Sequence, residues 1–244
     1  MTNPLEKSVY EIEARGLTKA YGNFDALKGV DLNIRRGDFY TLFGPNGAGK
    51  TTLIKLLATL TSPSSGKLNI LGYDASKEVQ KIRAVLGVIS HDPYLYDNLT
   101  AFENIRFFAE MYGLKDIEER SSSVIEQVGL ESRKNDLVRT FSRGMKQRLT
   151  VARAIVNEPE ILLLDEPYTG LDQHGAQILG EMLSALKNTD RTILMTTHNI
   201  DEGLDLSDRV GILARGKLVF ESPSGELDPL SFKDLYISKV EQSI

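Results

Sequence analysis

The segment Gly44-Pro45-Asn46-Gly47-Ala48-Gly49-Lys50-Thr51 fits the phosphate-loop pattern G-x-x-x-x-G-K-[ST] and constrains this chain more than any other feature. It requires a strand before it and a helix after it, because that arrangement turns a row of backbone N–H groups inward on a phosphate. Residues 39–43 read as the strand. Residues 51–60 read as the helix, with Leu53, Leu56, Leu57 and Leu60 on one face. The glycines let the backbone wrap closely, and the helix start adds its positive dipole end. Lys50 is a point charge for the outer phosphates, Thr51 a hydroxyl for Mg2+, and Thr52 follows in the first turn. The pattern alone can arise by chance; the strand–loop–helix setting argues against it. The expectation is an α/β protein that holds a nucleoside triphosphate.

The aliphatic run 161–164 ends in Asp165 and Glu166. Such a run reads as a strand buried on both faces, inside a parallel sheet. Ligands in open α/β sheets bind at the carboxyl ends of strands, so the acids are expected beside the phosphate loop. Asp165 can serve Mg2+, and Glu166 can accept a proton from an attacking water. A solvated acidic turn before Pro167 is the plainer alternative. His198 ends another strand, 192–197, at the same edge. An imidazole there can hydrogen-bond a γ-phosphate.

Residues 9–14 and 30–34 alternate apolar and polar side chains as half-buried strands do. Short strands are expected at 68–71, 85–90, 209–213 and 217–220, with Arg215-Gly216 turning the last hairpin. Residues 100–139 carry helical periodicity instead: Phe102, Ile105, Phe108, Ala109 and Tyr112, then Val124, Ile125, Val128 and Leu130. This reads as a helical insertion, and 231–240 as a final short helix. Ser142 is a fair N-cap for a helix running through Ile155, and with Gly144 it makes a second anion-binding point. An ordinary capped helix would look the same.

A net charge of −5 argues against non-specific nucleic-acid binding, and no nucleic-acid partner is expected. No cysteine is present, which excludes disulfides and thiolate chemistry. No apolar stretch reaches the ~18 residues that cross a bilayer, and residues 1–10 lack the apolar core of a signal peptide. The chain is expected to be soluble and intracellular.

Together these parts resemble the ATP-binding cassette (ABC) family over roughly residues 9–220. Gly44 to Thr51 looks like its Walker A loop, and Ile161 to Glu166 like Walker B with its catalytic glutamate. Ser142-Arg143-Gly144-Met145 stands where the signature L-S-G-G-Q usually stands. Gly170-Leu171-Asp172 is similar to the D-loop, His198 to the switch histidine, and Tyr21 to the aromatic that stacks on adenine. The resemblance implies a phosphate-loop NTPase cassette spanning 1–244. It would have a RecA-like parallel-sheet core, an N-terminal antiparallel β subdomain, a helical subdomain at about 93–158 and a short extension at 221–244. It implies ATP and Mg2+ as cofactors. It implies a second cassette packed head to tail, so that each ATP lies between the Walker A loop of one chain and the signature of the other. Transmembrane permease subunits would hold the chain on the inner face of the cell membrane.

The chain departs from the family at several positions. The glutamine usual after strand 85–90 is replaced by Ser90-His91-Asp92-Pro93; Asp92 aligns best with it, and His91 is the other register. Phe141, Arg143 and Met145 replace Leu, the first Gly and Gln of the signature, while Ser142 and Gly144 remain. The aromatics in 94–102 border the groove that receives a permease helix in the family; packing of the helical insertion would explain them equally. The region 95–107 looks most like exporter-type cassettes of the ABC-2 drug, polysaccharide and haem-exporter branch. A soluble ABC ATPase of a cluster-assembly complex is the rival reading. DNA-repair types, with long coiled coils between the motifs, do not fit, since fewer than ~100 residues separate them here without sustained heptads.

Overall fold

The computed structural model describes residues 9–90 and 92–242. His91, and residues 1–8 and 243–244 of the expected single-domain span, lie outside the described residues. In chain order the elements are β1 (Tyr10–Tyr21), β2 (Phe24–Arg35), β3 (Phe39–Phe43), α1 (Lys50–Leu57), β4 (Ser65–Ile70) and β5 (Tyr73–Asp74). Then come α2 (Val79–Ala84), β6 (Leu86–Ile89), α3 (Ala101–Met111), α4 (Ile117–Gln127), α5 (Arg143–Ile155) and β7 (Ile161–Asp165). The chain closes with α6 (Gln173–Lys187), β8 (Thr192–Thr197), α7 (Ile200–Leu204), β9 (Arg209–Ala214), β10 (Lys217–Pro223) and α8 (Pro229–Glu241).

Two sheets form. One is antiparallel, in the order β2-β1-β4-β5. The other runs β10-β9-β3-β8-β7-β6 and is parallel except for β10, which returns from β9. Arg215 and Gly216 both take positive φ (48° and 81°) in that hairpin turn, as a tight two-residue turn demands. β3, β7 and β8 are buried throughout, which is why they are continuous apolar runs rather than alternating ones. One face of this sheet packs with α1 against the antiparallel sheet. The other packs against α3, α4, α5 and α6. A smaller cluster beneath α8 joins Phe232 to Phe43, with ring centroids 5.2 Å apart.

Several expectations need correction. α1 stops at Leu57, and Leu60 is exposed rather than on the buried stripe, because Thr59 takes φ 55° and turns the chain away. Tyr112 falls just past α3 and is 43% exposed, while Ile105 and Ala109 are fully buried. β1 and β2 are much longer than the alternating stretches suggest. Tyr21 therefore ends β1, with β2 between it and the strand that leads into the phosphate loop. β10 runs on to Pro223, into the segment read as an extension. α6, α7, α2 and β5 have no counterpart in the sequence reading; for α6 the signal was present in Leu179, Leu183 and Leu186, all buried.

Candidate functional site

Sheet register assembles the site. Phe43 pairs with Thr197, and Asp165 pairs with Thr196. The residues that follow, Gly44, His198 and Glu166, therefore emerge side by side at the carboxyl edge of three parallel strands. Gly44 is required by packing: a Cβ there would lie 2.4 Å from the Leu213 carbonyl oxygen. Gly49 is required twice over, by φ 109° and by the Ala26 carbonyl oxygen 2.6 Å from where its Cβ would be.

The cleft at this edge is lined by Pro45, Asn46, Gly47, Ala48, Gly49, Lys50, Thr51, Thr52 and Glu166, with Phe24 and Ala26 from β2. α1 opens onto it with Gly49 as N-cap and no side-chain cap, so the helix-start N–H groups are not taken by a capping side chain. Lys50 is buried; its Nζ donates to the carbonyls of Gly44 (2.6 Å) and Pro45 (3.1 Å) and pairs with Glu166 Oε1 at 3.0 Å. His198 Nδ1 meets Glu166 Oε2 at 2.5 Å. Burial pushes the Glu166 carboxyl up, but the Lys50 ammonium and His198 together outweigh it and hold the group below its ordinary value. Glu166 has φ 52°, a left-handed backbone that a non-glycine residue takes only when its surroundings force it. Here the backbone N–H of Glu166 is held by the Thr196 carbonyl at 3.0 Å.

Asp165 is buried, and Thr196 Oγ1 donates to it at 2.8 Å. Its remaining lone pairs and the Thr51 hydroxyl are hard oxygen donors of the kind Mg2+ takes. No cluster of three or more His, Cys, Asp or Glu side chains forms among the described residues.

Other predicted residues lie elsewhere. Ser142, Gly144 and Asp172 line a second hollow, at the start of α5, and are not part of the first. Ser142 is the N-cap of α5, accepting from Met145 N–H at 3.2 Å. Asp172 is the N-cap of α6, accepting from Gly175 N–H at 2.8 Å. Tyr21 and Phe24 face each other across the β1–β2 hairpin and both are exposed, but it is Phe24 that borders the phosphate-loop cleft. Asp92 is exposed just beyond β6 and does not line the cleft. Tyr96 packs on Phe107 and Phe108 while Tyr94 is largely exposed, so the aromatic segment both packs the helical insertion and leaves a surface.

Sequence reasoning missed Phe24, Thr196 and Glu202. Burial pushes the Glu202 carboxyl up; Asn199 and His198 oppose this, and the Glu166 charge adds to it. An acid early in a short helix after His198 was the available signal.

A phosphate loop, a histidine at the end of the strand beside its own and an acid one strand further over define a nucleotide hydrolase of the cassette type. Residues 27–169 match the family described as ABC transporter. The chain is 36% identical over 210 residues to the linearmycin resistance ATP-binding protein LnrL of Bacillus subtilis (strain 168), covering 85% of this chain and 68% of that protein. It is 37% identical over 218 residues to the Nod factor export ATP-binding protein I of Cupriavidus pinatubonensis, covering 88% and 67%. Among solved structures, a dimeric ATP-binding cassette in a post-hydrolysis state bound to ADP and Pi superposes with TM-score 0.80 at 28% identity, covering 87% of this chain and 98% of that one. This chain belongs to the ABC transporter family. It is an ATP-binding ATPase subunit.

Proposed function

We propose that this cassette drives export across a membrane through ATP-driven pairing with a second cassette, acting on permease subunits. The observation that carries the reading is the split between two hollows. One has the phosphate loop, Lys50 and Glu166; the other has Ser142 and Gly144 at a helix start. A head-to-tail pair would bring each hollow against its complement, and a two-fold axis makes two such sites at once. Gly144 supports this. A glycine in a helix costs up to about 1 kcal/mol against alanine, yet among the described residues nothing lies within 4 Å of where its Cβ would be. The space suits close approach from outside the chain.

The chain's own groups supply the chemistry. Lys50 and the N–H groups at the start of α1 bind the outer phosphates, which draws the Lys50 ammonium away from Glu166. Freed of that partner, the carboxylate becomes a better acceptor for a proton from water. His198 orients it, and its second ring nitrogen can meet the γ-phosphate. Thr51 and Asp165 would hold Mg2+, which neutralises phosphate charge when bound. Asp92 is the further candidate for that metal; an Asp92→Ala variant should then show altered Mg2+ dependence, and a normal dependence removes it.

The export direction and the membrane-face location draw support from relatives named for export and resistance. Among the described residues no helix is long and apolar enough to cross a membrane, so membrane attachment by those residues would come through a partner. The test is affinity purification of tagged Glu166→Gln chain, with ATP, from detergent-solubilised native cells. A polytopic membrane protein should co-purify. Recovery of soluble partners alone, across repeats, would favour the rival soluble ATPase.

A further inference from the structure

Arg143 is poorly placed for the helix it begins. It sits at the first helical position of α5, where the dipole end is already positive, and no acidic residue stands in that first turn to offset it. Its side chain is engaged outside the helix. Arg143 Nη2 donates to the Thr169 carbonyl at 2.7 Å. The guanidinium lies flat over Gly170: a Cβ on that residue would fall 2.1 Å from Arg143 Cζ. One turn further along α5, Gln147 Nε2 donates to the Pro167 carbonyl at 2.8 Å. Thr169 in turn reaches the active carboxylate, its Oγ1 donating to Glu166 Oε2 at 3.4 Å, and its N–H bonds the Glu166 carbonyl at 3.1 Å.

We propose that Arg143 is a positioning residue: by holding the Thr169 carbonyl and covering Gly170, it fixes the loop that orients Glu166 and ties the helical insertion to it within one chain. The inference rests on Glu166 acting as the base. The second hollow is then mechanically linked to the first in the same chain, so whatever meets Ser142 and Gly144 is sensed at Glu166. A Lys can still donate to the carbonyl but cannot lie flat on Gly170; a neutral side chain does neither.

The test is steady-state ATP hydrolysis with ATP affinity measured alongside. Arg143→Ala should lower kcat by about three- to tenfold, the net worth of one ordinary hydrogen bond at an exposed site. KM for ATP should stay within about twofold, and Arg143→Lys should recover part of the loss. Gly170→Ala should be harmful in the wild-type background and much less so beside Arg143→Ala, because the clash with the guanidinium is gone while the φ strain remains. A merely structural arginine would show the coupling from that clash in thermal stability alone, without coupling in kcat or the kcat–KM split. If Arg143→Ala keeps wild-type kcat, or the two substitutions add independently in kcat, the inference is wrong. Glu166→Gln run in parallel separates the two failures: turnover retained there overturns the base assignment instead.

Discussion

The starts of α1 and α5 are built alike and equipped differently. Both are helix beginnings that face a hollow, where N–H groups and the dipole favour an anion. α1 has no side-chain cap, a buried lysine and a carboxylate that pairs with it. α5 has its cap filled by Ser142, carries a cation turned away onto a loop, and keeps an unexplained glycine. The first is equipped to bind and attack a phosphate. The second has the surface of a site with no reacting group of its own. On the proposed reading, the contrast divides reactive chemistry and recognition between two places on one chain, which would make turnover dependent on a second molecule.

The comparison breaks most sharply at Glu166. Glu166→Gln should lower ATP turnover by about 10²- to 10⁴-fold while leaving ATP affinity within a few-fold, as read by single-turnover hydrolysis and equilibrium binding. Wild-type turnover in that variant would remove the acid from its role. Next comes Lys50→Ala. Loss of a charged donor to phosphate should weaken ATP binding about 10- to 100-fold, measurable by titration with the isolated chain. An equal loss from any substitution at Ser142 or Gly144 in the isolated chain would erase the division between the two helix starts.

Gly144→Ala sharpens the contrast because its two effects have opposite signs. The isolated chain should become more stable, by up to about 1 kcal/mol, as seen in thermal melting. Turnover should fall about fivefold or more as a methyl overfills a contact made by a partner. A stabilised variant with full turnover would show that nothing approaches that surface.

The smallest effect concerns acid stability. The folded Glu166 carboxyl lies below its ordinary value. Its contribution to the ATP-free fold is therefore complete above the ordinary carboxylate range and fades as pH falls through the lowered value. The stability gap between wild type and Glu166→Gln should shrink over that acidic window in denaturant titrations. A gap that widens with acid would contradict the Lys50–Glu166 pairing.

Much of the phosphate cleft was legible because its parts are local. The strand before Gly44, the loop glycines, the helix after them and the acid after an aliphatic run each follow from a few adjacent residues. The same holds for Ser142 as a cap, confirmed by its bond to Met145, and for the Arg215-Gly216 turn. The length of β1 and β2 was not legible, since bulges at several points break their alternation. Nor was α6, although its leucines are regularly spaced, because Asp172 reads as the end of a D-loop before it reads as the helix cap that the structure shows. Phe24 escaped because hairpin pairing with Tyr21, not proximity to any motif, carries it to the cleft.

Residue order settled the type of chemistry, since a glycine-lined turn, a lysine and a strand-end acid have few other physical uses in combination. Tertiary structure settled who touches whom. The pairing of Glu166 with both Lys50 and His198 depends on parallel register between strands far apart in the chain. The hold of Arg143 on Thr169 depends on the helical insertion docking beside β7. The separation of Ser142 from the phosphate loop depends on α5 packing on one face of the parallel sheet and α1 on the other. These are distances set by packing, and no local pattern encodes them.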